Sequence, residues 1–146
     1  MTAALQHSGY QAITLLAATT ITSAVTAEVT TPVAGLVGMQ SVSMQATFAW
    51  GSAGTTAKAW VQTSFDGGTT WVDIACFAFT TAVARTVHSL RANTAVAANY
   101  VATDGSLADN TIKDGLLGDR LRVKYTTTGT YADDTTLAIH AVTKGA

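Results

Sequence analysis

The chain has 146 residues, with 8 Lys and Arg against 9 Asp and Glu for a net charge of -1, and charged residues make up only 12% of it. That length suits one buried core, and a binder of nucleic acid needs a basic excess that this balance lacks. No apolar run is long enough to span a bilayer and Met1 to His7 holds no basic n-region, so neither a membrane partner nor export is expected, and synthesis is expected in the cytoplasm. In chain order, residues 1–10 are small and polar without clear period and read as an N-terminal arm ending in Gly9 and Tyr10. Residues 11–146 read as a single domain.

From Gln11 to Val37 the density of Thr, Val, Ala and Ile favours strands. Ile13 and Leu15 alternate with Ala12, Thr14 and Leu16, and Pro32, Gly35 and Gly38 break the region into two or three short strands. The clearest strand comes next. Val42, Met44, Ala46, Phe48 and Trp50 fall on one face, and Ser41, Ser43, Gln45, Thr47 and Ala49 on the other. Gly51 to Gly54 then turns the chain into a hairpin.

In that hairpin Ala57, Ala59, Val61, Thr63 and Phe65 oppose Lys58, Trp60, Gln62 and Ser64. Trp60 therefore sits on the polar face, where it either packs under a loop or stands exposed as an anchor for a partner. The turn is Ser64-Phe65-Asp66-Gly67-Gly68-Thr69-Thr70-Trp71. Asp66 is placed to accept backbone N–H groups, Gly67 and Gly68 to take positive φ, and Trp71 to fold over the loop. This spacing, S-x-D-x-G-x-T-W, resembles the Asp-box hairpin of sialidase-type propellers and many unrelated β proteins. The resemblance implies a turn built on Ser64, Asp66, Gly68, Thr70 and Trp71, and it carries no activity.

Cys76 is the one cysteine, which excludes an internal disulfide and a cysteine-based zinc site. Its place in the alternation Val72, Ile74, Cys76 marks it as a buried thiol. The histidines His7, His88 and His140 have no ligand spacing, so no metal or other cofactor is expected. Between Asn93 and Asp119 strand character fades, and Asp104, Asp109, Asp114 and Asp119 recur near glycines. Turns and caps account for them better than calcium, with a short helical turn from Ile112 to Leu117 ended by Gly118. The last two strands put Leu121, Val123 and Tyr125 on one face and Arg120, Arg122 and Lys124 on the other, then Leu137, Ile139 and Ala141 inward. The basic stripe either pairs with acidic loops of a neighbour or faces water.

Short strands separated by turn signals give an all-β chain, an antiparallel β-sandwich of jelly-roll-like kind. Its sparse charge suits a subunit covered by neighbours. Trp60 to Ser64 running into the turn, Trp71 to Ala75, Leu107 to Asn110, and Asp114 to Val123 are the segments that carry a second likeness. Through them the chain resembles small structural proteins of tailed bacteriophages and prophages. The resemblance implies a virion component, with a capsid decoration or cement protein foremost and a tail or head–tail connector subunit next. Its partners would be the major capsid protein or other virion subunits, in a homo-oligomer, with Tyr10, Trp60, Arg120, Arg122 and Lys124 as contact residues. A carbohydrate-binding module stacking sugars on Trp50, Trp60, Trp71 or Tyr131 is a further reading. No catalytic constellation stands out, so an enzyme is not expected.

Overall fold

The computed structural model describes residues 10–145. They form the strands β1 (Tyr10–Thr20), β2 (Val25–Val29), β3 (Met39–Ala49), β4 (Ser52–Ala53), β5 (Thr56–Thr63), β6 (Val72–Phe79), β7 (Ala84–Arg91), β8 (Leu121–Thr128), β9 (Tyr131–Ala132) and β10 (Thr136–Gly145). The first sheet has the order β1-β10-β3-β7 and the second β2-β8-β5-β6, while β4 and β9 form a small ribbon. Every pairing is antiparallel. The chain is thus an all-β, antiparallel β-sandwich, and there is no helix among the described residues.

The pairing is nested. β1 lies against β10, β2 against β8, β3 against β7 and β5 against β6. Between the sheets lies one core containing Val42, Met44, Ala46 and Phe48 of β3, Ala57, Ala59 and Val61 of β5, Leu121 and Val123 of β8, and Leu137 and Ile139 of β10. These are the alternating apolar positions of each strand, because side chains on a pleated strand point to opposite faces with a period of two. Phe48 stacks on Phe79 at 5.0 Å between centroids and meets the Tyr131 ring edge-on at 5.5 Å. The Tyr131 hydroxyl donates to the Thr80 carbonyl at 2.7 Å. The turn expected at Gly51–Gly54 meets the connection between β8 and β10 as the β4–β9 ribbon.

Several expectations are corrected. The alternation drawn through Ile13 and Leu15 fails at a bulge, since the β1–β10 register shifts between Thr14 and Leu16 and both Leu15 and Leu16 are buried. A second bulge, opposite Val61 and Gln62, leaves Ile74 as the extra residue of β6. Cys76 is buried as expected, but beside Trp60 and Leu107 and outside the main core. Phe65 lies beyond the end of β5 and is exposed, so it does not continue the buried row. No helical turn spans Ile112 to Leu117; Ile112 instead bridges to Ala75 at the edge of β6. The arm expected over residues 1–10 lies outside the described residues except for Tyr10, which belongs to β1 and pairs with Lys144.

The long connection from Ala92 to Arg120 covers the outer side of the second sheet. As a result β5 from Ala59 to Thr63 is buried on both faces, Trp60 and Gln62 as well as Ala59 and Val61. The polar positions of β5 and the residues that meet them form a buried polar layer.

Candidate functional site

Two surfaces account for the polar residues singled out in the sequence. The first is the turn between β5 and β6. Asp66 Oδ1 accepts the Thr70 N–H at 2.8 Å, and its Oδ2 accepts the Thr70 hydroxyl at 2.6 Å. The Ser64 hydroxyl donates to Asp66 at 2.9 Å and accepts the Gly68 N–H at 2.9 Å. Gly67 and Gly68 take φ of 73° and 92°, in the left-handed region that glycine reaches without a Cβ clash. The hydrogen bonds from the Thr70 hydroxyl and N–H hold the Asp66 pKa down at about 2. Trp71 is buried behind this turn, with the Arg122 guanidinium 4.3 Å from its ring centroid. The turn has the geometry that its spacing implied.

The second surface is the layer between the second sheet and the loop over it. Its hub is Asp73, a fully buried carboxylate that sequence reading passed over. Asp73 accepts the N–H groups of Gly105, Ser106 and Leu107 at 2.8 to 3.1 Å. It also accepts the Thr103 hydroxyl and the Gln62 amide, each at 2.8 Å. Successive backbone N–H groups curled around one carboxylate form a nest for negative charge. The signal was present, because Asp is disfavoured inside strands and Asp73 sits between Val72 and Ile74.

The basic stripe joins this layer. Asp104 Oδ1 lies 2.6 Å from Lys124 Nζ and 3.8 Å from Arg122, and it accepts the Gln62 amide at 2.6 Å. Burial pushes the Asp104 pKa up, but the bonds from Lys124 and Gln62 outweigh it and leave the carboxyl below its usual range. Arg122 Nε donates to Gln62 Oε1 at 2.8 Å. Arg120 pairs with Asp119 at 3.0 Å and donates to the Gly67 carbonyl, tying the loop end to the β5–β6 turn. Lys58 reaches Asp109 at 2.8 Å. The stripe does meet acidic loops, but they are the chain's own. Its bonds therefore hold the loop down, an intrachain role for Arg120, Arg122 and Lys124 beside the two expected of them.

Of the two places open to Trp60, the structure shows the first. It lies under the loop at 7% exposure, with its indole N–H donating to the Leu107 carbonyl at 2.9 Å. It is an anchor for the chain's own loop. Cys76 shares this pocket of the layer, and burial lifts its thiol to about 11, which keeps it protonated at neutral pH. Asp114 accepts the Arg91 N–H and the Thr94 hydroxyl, so the loop aspartates serve turns and ion pairs. Among the described residues no cluster of His, Cys, Asp and Glu is arranged to hold a metal ion. Tyr10 remains accessible at 55%.

The outer face of the first sheet is built differently. Outward positions next to the buried row of β3 are Ser41, Ser43, Gln45 and Thr47, flanked by Arg91, Ser89, Val87 and Arg85 of β7 and by Lys144, Val142, His140 and Ala138 of β10. This face is small and mostly uncharged, its charged groups Arg85, Arg91 and Lys144 all basic. None of the ion pairs among the described residues involves these cations. Comparison with family models, with curated proteins and with solved structures gave no match.

Proposed function

We propose that the chain is a structural virion protein of a tailed phage, a capsid decoration or cement subunit that binds the major capsid protein or a neighbouring virion subunit. The observation that carries this reading is the division of labour between the two sheets. Loop and ion pairs are consumed in covering the second sheet, while the first leaves a broad face of Ser, Thr, Ala and Val with Arg85, Arg91 and Lys144 as cations. Such a face suits adhesion to an acidic, extended partner surface, and copies on a lattice gain by avidity what one contact lacks. The nested strand order, outermost pair β1 with β10 and innermost β5 with β6, is the order we read as a jelly roll.

A sugar-binding module has less in its favour. Trp60, Trp71 and Tyr131 are buried and the Trp50 indole N–H is bonded to Ala53, so these rings form no open stacking row. A tail or connector subunit would use the same face, and one experiment separates the places. Antibodies against the purified chain are applied to virions of the phage or prophage that encodes it and viewed by electron microscopy. Label over the head supports decoration, and label at the neck or tail supports the second assignment. No label on intact or disrupted particles would sink the virion reading.

A further inference from the structure

The two lateral sides of the sandwich are finished unequally. On one side lie β6 and β7; the long loop bonds along the edge of β6 and at the last residue of β7, a strand that also carries Arg85 and Arg91. Thr103 and Thr111 carbonyls accept the N–H groups of Asp73 and Cys76, the Ile74 carbonyl accepts Lys113 N–H, and the Arg91 carbonyl accepts Gly115 N–H. On the other side β1 and β2 are outermost. β2 is short, takes φ of 52° at Ala27 and carries Glu28, features that discourage pairing. β1 runs for 11 residues without a charge or a proline. Among the described residues no strand pairs with its outer edge. The first part of β1 is regular, pairing residue for residue from Tyr10↔Lys144 to Thr14↔His140, and the bulges come only after it.

We propose that this segment of β1 pairs antiparallel with the same segment of a second copy of the chain, across a two-fold axis, so that the two first sheets become continuous. A symmetric pair must be self-complementary, and charge is what ordinarily prevents it, because each charged residue near the axis meets its own copy. Centred on Ala12, the axis sets Ala12 opposite Ala12 and Tyr10 opposite Thr14. All of them are neutral, and Ala12 at the axis is small and exposed. Backbone groups left open on one copy are the partners required by the other. This inference stands apart from the virion reading and is tested without a virion.

The experiment is sedimentation equilibrium of the full chain over a range of concentrations into the micromolar, with the variants A12E and A12K. The wild-type chain is expected to pass from 15.0 kDa to about twice that mass as concentration rises. Each variant alone puts like charges face to face and is expected to weaken association by at least about tenfold. An equimolar mixture of the two puts opposite charges face to face and is expected to restore the dimer. Ala12 is exposed, so at concentrations where the chain is monomeric both variants should keep the wild-type melting temperature. A wild-type chain that stays monomeric throughout overturns the proposal. So does any assembly that survives both substitutions, or a mixture that associates no better than either variant alone.

Discussion

Asp73 shows how much can hang on one side chain. A carboxylate in a strand interior is stable only where donors surround it, and here the N–H groups of Gly105 to Leu107 do so. Replacing Asp73 with Ala strands those donors in a buried layer. The expected cost is about 3 kcal/mol by urea denaturation, with new protease cleavage between Asn93 and Asp119. Asp73→Asn keeps the volume but turns an amide N–H toward backbone N–H groups, so it should recover little of the loss. Asp66 has a pH signature. Its pKa falls from 3.8 to about 2 on folding, so the stabilisation of its turn is complete above 3.8 and is lost as pH drops toward 2. The Thr70 amide resonance followed by NMR should titrate with a midpoint near the lower value.

At the level of the element, the β5–β8 ladder and the loop depend on close approach. A Cβ on Gly118 would lie 1.9 Å from the Ser64 carbonyl oxygen, and the Gly118 N–H donates to the Thr63 hydroxyl at 2.9 Å. Gly118 is therefore needed for contact between the loop end and the β5–β6 turn. Gly118→Ala should cost about 2 kcal/mol through overpacking against backbone, read as a lower denaturation midpoint. The bulges have a comparable local logic. One extra residue in β1 brings both Leu15 and Leu16 into the core, and one in β6 separates Cys76 from the core row. A period-two pattern has no way to register an inserted residue, so it misplaces side chains in these two strands.

At the scale of the whole molecule, the unequal faces and edges decide how it meets others. Changing Arg85, Arg91 and Lys144 together to Glu should leave melting within a few degrees of wild type, since none forms an ion pair among the described residues. On the proposed function the same triple variant should lose binding to particles that lack the protein, measured by co-sedimentation. Deleting residues 2–9 should leave a folded sandwich, because the strands and core described from Tyr10 onward pack against one another. Circular dichroism checks the fold.

The class of fold and the local devices were legible in the chain alone. Alternation in β3, β8 and β10 marked the core, the Asp66 turn was readable from its spacing, and Cys76 was recognised as buried. These are short-range properties, fixed by pleat geometry and by turn chemistry within a few residues. Only the tertiary structure decided which polar residues face water. Trp60, Gln62, Arg122 and Lys124 meet a loop up to 47 residues away in sequence, at Leu107 and Asp104. Whether a strand's second face is wet or covered depends on where such a loop comes to rest, and no period in the strand records that.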